Sequence, residues 1–304
     1  MKKYLVQVFV FSVILIVAFV LIIISSTLIV KSRGFKNYET DSNTLIISEN
    51  KKYDIMFSGI SHARNFSRYK NHLRLETILK KSIINIGQGS NMCGISEQYF
   101  YLKYFYSKNN TVDKLIYVLT PPLMYSETLP VVSTTFRKEA FEVSFLHQYL
   151  LFDTENKWQR IFNYLRSKMH PAWLFHYPKS KAEMTMHMTQ MDSLIYNDGF
   201  RAAYTKGINP ERFQKSSKVI EEEINFSIEN NIKFIIIIPP ALFGRWPGHQ
   251  NVALFAQKMK EKYQIDYYDL SESVLDPKYY YDHHHLNTKG VVFFTENYLK
   301  DILN

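Results

Sequence analysis

The chain has 304 residues, of which 46% are hydrophobic, 15% are aromatic and 21% are charged, and its formal net charge is +9. A single cysteine, Cys93, excludes an internal disulfide framework. The basic residues are spread along the chain without an interleaved aromatic and basic motif. This charge therefore favours a surface beside an anionic membrane, or attraction to an acidic cell-wall polymer, and argues against nucleic-acid binding.

Residues 4–30 form an apolar run in which the phenol of Tyr4 is the only ionisable side chain. At about 1.5 Å per residue, a helix of this length exceeds the roughly 30 Å of hydrocarbon in a bilayer. No clear cleavage site of small residues follows it. We therefore expect an uncleaved transmembrane helix over 4–30 after a cytoplasmic tail of residues 1–3. The short tail favours a single-pass plasma-membrane protein with its domain on the extracytoplasmic face.

Residues 31–50 are polar and aperiodic, which predicts a stalk, and residues 51–304 predict one extracytoplasmic domain. Buried strands are predicted at 53–57, 83–86, 114–119, 232–238 and 265–268. Helical patterns lie at 72–81, 95–106, 210–230, 252–263 and 288–302. This alternation predicts an α/β fold in which helices cover both faces of a parallel sheet.

The segment 123–209 interrupts the alternation of strands and helices. It is rich in aromatic residues and contains the methionine-rich run 184–191. We interpret it as a mostly helical insertion over the strand ends, which either completes the core or forms a lid that binds a substrate or partner. Pro121-Pro122 and Pro239-Pro240 end two strands at corresponding places, where loops that carry function would emerge.

Gly59-Ile60-Ser61 directly follows the first predicted strand. Gly59 permits a tight turn that would expose the Ser61 hydroxyl at the carboxyl edge of the sheet and free backbone amides to stabilise an oxyanion. Such a sequence is also common in ordinary turns, and a serine nucleophile needs a neighbouring base. His62 is adjacent, but consecutive side chains diverge, so we favour a substrate-binding or structural role for it over that of general base.

The late cluster Asp282-His283-His284-His285-Leu286-Asn287 offers such a base. Asp282 and His285 lie in a loop, where Asp282 would orient the imidazole and His285 would accept the serine proton. Asn287 is the expected N-cap of the following helix, and Gly290 would permit close packing of that helix.

Three consecutive histidines beside an aspartate also suggest a metal site or a purely structural loop. Adjacent histidines do not readily converge on one ion, no second ligand cluster is evident, and Cys93 is solitary. We therefore expect no metal and no other cofactor.

With Ser61 near the start of the domain and Asp-x-x-His at its end, the chain resembles the SGNH (GDSL-like) hydrolase superfamily over about residues 53–304. Gly59-Ile60-Ser61 matches the first block of that superfamily, and the cluster 282–287 matches the last. The resemblance implies a three-layer, flavodoxin-like fold with a Ser61, His285 and Asp282 triad.

The oxyanion donors that the resemblance implies are less regular. Residues 85–91 match the second block loosely, with Gly89 as the first choice of donor and Gly87 as the alternative. Many members carry Gly-x-Asn-Asp in the third block, but this chain has Leu119-Thr120-Pro121-Pro122 and lacks the usual asparagine. Thr120 or Asn91 would substitute, and His62 is a further candidate for substrate binding.

In layout the chain is similar to membrane-anchored members that modify the cell envelope, including the D-alanine transfer protein of teichoic acid synthesis. The resemblance implies a serine O-acyltransferase or esterase that acts on an envelope glycan or teichoic acid, with a membrane-bound O-acyltransferase as partner. The altered third block leaves a second hypothesis, a non-catalytic assembly protein that presents the insertion to membrane partners.

Overall fold

The computed structural model of the protein describes residues 2–32, 47–87, 94–128, 141–152, 156–168, 183–204 and 207–303. The chain begins with the helix α1 (Lys2–Ser32). Its segment Lys2–Ile29 is long and apolar enough to cross a membrane. The predicted span 4–30 therefore lies within one continuous helix, and most of the predicted stalk, 33–46, lies outside the described residues.

A five-stranded parallel sheet forms the centre of the domain. Its strands are β1 (Lys52–Gly59), β2 (Ile83–Asn85), β3 (Thr111–Val118), β4 (Lys233–Ile238) and β5 (Asp266–Asp269). They lie in the order β2-β1-β3-β4-β5, and every neighbouring pair is parallel. The predicted α/β fold with a parallel sheet is confirmed. The strand order reverses between β1 and β3, and this is the switch point where flavodoxin-like proteins bind ligands.

The helices before the insertion are α2 (Ser61–Asn65), α3 (Asn71–Leu79), α4 (Ile95–Ser107) and α5 (Pro121–Met124). Those after it are α9 (Pro210–Glu229), α10 (His249–Tyr263) and α11 (Thr288–Phe294), which continues through a π-helical stretch, Thr295–Leu299, into α12 (Lys300–Leu303). The longer ones match the predicted helices closely. The short helices α2 and α5 were not predicted, because four or five residues are too few to show a helical period.

The described part of the insertion contains α6 (Val143–Leu151), α7 (Lys157–Ser167) and α8 (Ser193–Ala203). Residues 183–192, which include the methionine-rich run, form no regular secondary structure. This extended segment lies against the start of α11, because the Met184 amide donates to Thr288 Oγ1 at 2.9 Å and the Thr288 amide donates to the Met184 carbonyl at 3.2 Å.

Two hydrophobic cores flank the sheet, as expected for strands buried on both faces. Successive side chains of a strand point to opposite faces, so Ile55 and Phe57 enter one core and Met56 enters the other. One core is closed by α4, α9 and α10, and the other by α2, α3 and the C-terminal helices. The domain therefore has the three layers expected for this fold.

Gly59 controls the passage from β1 to α2. It pairs with Val118 of β3 and has φ +139°, and a Cβ atom at this position would lie 2.7 Å from the Val118 carbonyl oxygen and 3.0 Å from Ala63 Cβ. Only glycine combines this backbone conformation with so close an approach. The turn delivers Ser61 to the carboxyl edge of the sheet at the switch point.

We expect Gly59→Ala to lower the free energy of unfolding by about 1–3 kcal/mol or more. Alanine disfavours the positive φ of this position, and its methyl group would clash with the backbone of β3. Chemical denaturation of the full chain in detergent, followed by tryptophan fluorescence, measures this change. Gly199→Ala in α8 is the control: no atom of the residues that the structure describes lies within 4 Å of its Cβ position, so this change should be neutral or slightly stabilising. Equal stability of Gly59→Ala and wild type would contradict the conclusion that the turn from β1 to α2 requires glycine at position 59.

Candidate active site

Ser61 is the first residue of α2, directly beyond the end of β1. The Arg64 amide donates to the Ile60 carbonyl at 3.0 Å and closes the first helical turn. The expected tight turn is thus the start of a short helix. Because the first amides of a helix have no partner within it, the N–H of Ser61 is not used by α2.

The segment 280–286, called the site loop here, carries the predicted Asp-x-x-His motif. Tyr280 and Leu286 form an antiparallel bridge at its two ends. The Tyr281 amide donates to the His285 carbonyl at 3.1 Å, and the Asn287 amide donates to the Tyr279 carbonyl at 2.8 Å. The chain therefore reverses within the site loop, which places the side chains at the two ends of the motif, Asp282 and His285, in contact.

The carboxylate of Asp282 folds the site loop and orients His285 at once. Its Oδ1 accepts the backbone N–H groups of His284 and His285 at 3.0 and 2.7 Å. Its Oδ2 lies 2.7 Å from Nδ1 of His285. The spacing of three residues is what allows one carboxylate to reach both the backbone and the ring of His285.

The imidazole of His285 joins the two distant segments of the chain. Its Nε2 lies 2.8 Å from Ser61 Oγ, across 224 residues of sequence. Because the Asp282 carboxylate can only accept at Nδ1, we assign the proton to Nδ1, which leaves Nε2 to accept the Ser61 hydroxyl. The ring of Tyr281 lies parallel to that of His285, with centroids 5.5 Å apart. The structure thus brings together the three residues for which the sequence predicts catalytic roles.

The electrostatics favour an ionised Asp282. Burial alone would raise the pKa of its carboxyl group, but the charge and hydrogen bond of His285, with a further contribution from His284, hold that pKa well below its usual range. The side chain is nevertheless 37% exposed, so solvent weakens these interactions. At neutral pH, Asp282 is a carboxylate that can stabilise a positive charge on His285.

Buried polar side chains fasten α2 to the site loop. Asn65 Nδ2 donates to the Leu286 carbonyl at 2.6 Å, and Asn71 Nδ2 donates to the Asn65 carbonyl at 2.9 Å. Sequence reasoning missed Asn65, because its partner lies 221 residues away. On the other side of the loop, Asn287 Oδ1 accepts the Gly290 amide at 2.9 Å, which confirms Asn287 as the N-cap of α11.

The predicted oxyanion donors differ in whether the structure describes them and in whether they already have a hydrogen-bond partner. The Gly87 amide donates to Asn85 Oδ1 at 2.9 Å, so it is already engaged, and Gly87 packs tightly against Ala63 of α2. Gly89 and Asn91 lie outside the described residues. Thr120 follows β3 at the same edge as Ser61, and its buried Oγ1 has no hydrogen-bond partner in the part of the chain that the structure describes.

His62 is buried beside the site loop, with its ring centroid 4.7 Å from that of His285 and 5.2 Å from that of His284. Burial, reinforced by the neighbouring histidines, lowers the pKa of His62 well below its usual value, and burial followed by His285 lowers the pKa of His284 to about 3. Both rings are therefore uncharged at neutral pH. Trp246, which the sequence did not single out, packs edge-on against His284 with centroids 5.3 Å apart.

Adjacent histidines were not expected to converge readily on one ion, yet the ring centroids of His284 and His285 are 4.1 Å apart. Both backbone N–H groups are held by one carboxylate oxygen, which turns the chain tightly enough to bring the two rings together. One nitrogen from each of these rings and one from His62 all lie within 4.8 Å of one another. His283 faces elsewhere, and its Nε2 accepts the Asp192 amide at 3.2 Å.

No protein-family model and no curated protein matches the chain. Among solved structures, the chain is similar to a proposed acylhydrolase from Bacteroides fragilis, at 14% identity and a TM-score of 0.31, with 90% of this chain and 96% of that chain covered. At this level of similarity, no residue role or activity is transferred.

We expect Asp282→Asn to lower the free energy of unfolding at pH 7 by about 1–2 kcal/mol, a value reduced for the partial exposure of the side chain. The native pKa of Asp282 is depressed, so its contribution is complete above the unfolded value of about 3.9 and is lost as the pH falls through the native pKa. The difference from wild type should therefore shrink below about pH 4.

Chemical denaturation of both proteins between pH 3 and pH 7 measures this difference. Asp301→Asn, on the exposed surface of α12, is the control and should remain within about 0.5 kcal/mol of wild type. A stability loss in Asp282→Asn that is the same at every pH would show that the carboxylate charge is not its cause.

Proposed function

We propose that this chain is a serine O-acyltransferase or esterase of the SGNH type, with Ser61 as nucleophile, His285 as general base and Asp282 as the group that orients His285. The observation that carries the proposal is the continuous hydrogen-bonded series from Ser61 Oγ to His285 Nε2, at 2.8 Å, and from His285 Nδ1 to Asp282 Oδ2, at 2.7 Å. These distances meet the geometric requirement for removing a serine proton.

In the first half-reaction, Ser61 Oγ attacks the acyl carbonyl carbon while its proton moves to His285 Nε2. The Asp282 carboxylate stabilises the resulting imidazolium. His285 then donates the proton to the departing alkoxide as the bond from the acyl carbon to that oxygen breaks, which leaves an acyl ester on Ser61. In the second half-reaction, the hydroxyl of a sugar or of water attacks that ester, and the proton returns through His285 to Ser61.

The tetrahedral intermediates need donors for the oxyanion, each often worth about 3 kcal/mol. The Ser61 amide is the first candidate, because α2 does not use it. We propose the Gly89 amide as the second donor, with Thr120 or Asn91 in place of the usual asparagine. Gly87 is the weaker candidate, since its amide would first have to release Asn85 Oδ1.

The proposed substrate is an envelope glycan or teichoic acid, and the proposed acyl group is of the acetyl or D-alanyl type. Three considerations support this choice: the apolar helix α1, the net charge of +9, which suits an acidic polymer, and the resemblance to envelope-modifying SGNH proteins. The domain would lie on the extracytoplasmic face, and a membrane-bound O-acyltransferase would supply the acyl group. Transfer to a sugar and hydrolysis share one acyl-enzyme, so the acceptor decides between them.

We expect Ser61→Ala to reduce hydrolysis of a small ester such as p-nitrophenyl acetate by at least about 1,000-fold, because the nucleophile is removed. Acylation of the envelope polymer in cells should fall to the level of a strain without the protein. Ser193→Ala, at the exposed start of α8, is the matched control and should behave as wild type.

Retention of the wild-type level of polymer acylation by Ser61→Ala would contradict the catalytic proposal. That outcome would favour the non-catalytic assembly function.

A further inference from the structure

The histidine cluster beside Ser61 has the composition of a metal-binding site. It consists of His62 from α2 and of His284 and His285 from the site loop, and one ring nitrogen of each lies within 4.8 Å of the other two. The two segments are locked together by the hydrogen bond from Asn65 to the Leu286 carbonyl. The cluster is therefore built into the fold and does not depend on the chance positions of surface side chains.

His62 supplies an independent observation. The residue is only 6% exposed, and neither ring nitrogen makes a hydrogen bond of ordinary geometry with the described residues, while the backbone of His284 offers only a weaker polar contact. Leaving a buried polar group unpaired is costly, and such groups in native proteins usually have a partner. The position of the ring beside two other imidazoles points to a bound ligand as that partner.

Three imidazoles define the chemical class of the ligand. Nitrogen donors suit Zn²⁺, Co²⁺, Ni²⁺ and Cu²⁺, whereas Mg²⁺ and Ca²⁺ require oxygen donors. Three histidines with a fourth position open is a known zinc arrangement. The Asp282 carboxylate on His285 Nδ1 would then be the second-shell acceptor that fixes the orientation of a metal-bound imidazole.

Metal binding and serine activation would compete for the same atom. His285 Nδ1 is engaged by Asp282, so only Nε2 can bind a metal, and Nε2 is the atom that lies 2.8 Å from Ser61 Oγ. A metal at this position would remove the acceptor for the Ser61 proton. Ligand nitrogens around tetrahedral zinc are about 3.4 Å apart, and those of the cluster lie within 4.8 Å of one another, so metal binding would draw the rings together by up to about 1.4 Å.

We propose that His62, His284 and His285 bind one divalent transition-metal ion of the zinc class, and that the bound ion blocks the site by occupying His285 Nε2. The binding itself is independent of the catalytic proposal, whereas the inhibition rests on it. The metal would thus act as a reversible inhibitor of acyl transfer and would not take part in the chemistry.

Titration of the full chain in detergent, free of affinity tags, with Zn²⁺ and with Co²⁺ tests the binding. We expect one ion per chain, and His62→Asn and His284→Asn should each weaken binding at least tenfold, since loss of even a second-shell partner costs about 10–100-fold. His187→Asn removes an exposed histidine outside the cluster and should leave the affinity unchanged. Ser61→Ala should bind the metal as tightly as wild type does, or more tightly.

A measurement on the wild-type chain guards against variants that fail to fold. Bound Zn²⁺ should protect the cluster histidines from modification by diethyl pyrocarbonate and leave His187 reactive. Absence of stoichiometric binding, equal affinity in the His62→Asn and His284→Asn variants, or equal reactivity of the cluster with and without Zn²⁺ would overturn the metal site.

The inhibitory effect is measured separately, as the ratio of ester hydrolysis with and without Zn²⁺ in each protein. Wild type should be inhibited over the concentration range in which Zn²⁺ binds, and His284→Asn should need at least tenfold more Zn²⁺. Stoichiometric Zn²⁺ binding with unchanged or increased ester hydrolysis would refute the inhibition but not the metal site. If the chain binds Zn²⁺ but Ser61→Ala hydrolyses the ester at the wild-type rate, the catalytic proposal is refuted and the metal site is not.

Discussion

The geometry of this site depends on one carboxylate. Asp282 uses Oδ1 to hold two consecutive backbone amides and Oδ2 to hold the ring of His285, so the same side chain sets both the path of the site loop and the direction of the imidazole. A side chain that could accept only at the backbone would fold the loop but leave the ring free to rotate. Because the pKa of Asp282 is depressed, the carboxylate keeps both functions across the neutral pH range.

The fold brings this loop to a serine that lies at the other end of the domain sequence. The turn at Gly59 sends the chain from β1 into α2 at the switch point of the sheet, and the site loop arrives from beyond β5. Asn65 then ties α2 directly to the Leu286 carbonyl. Ser61 and His285 are therefore positioned by the sheet, by the turn at Gly59 and by the hydrogen bond that joins α2 to the site loop.

Much of this arrangement could be predicted from the sequence. Short apolar runs such as 232–238 predict the strands. The pairing of Ser61 with Asp282 and His285 follows from the chemistry of a serine nucleophile and the spacing of the motif. The helices α2 and α5 were missed because four or five residues are too few to show a helical period, and Asn65 because its role exists only after the chain has folded. The closeness of the His284 and His285 rings was not expected, because neighbouring side chains point apart in extended backbone, whereas Asp282 imposes a tight turn here.

Two possible partners of His285 Nε2, a serine proton and a metal ion, make the site sensitive to its surroundings, so the central claim is best tested with chelator present. Incubation of the full chain with a fluorophosphonate probe, followed by peptide mass spectrometry, locates the most reactive serine. The account predicts a single adduct on Ser61, formed about 100-fold or more slowly in His285→Gln and at the wild-type rate in His187→Gln. An adduct on another residue, or a Ser61 adduct that forms equally fast without His285, would contradict it.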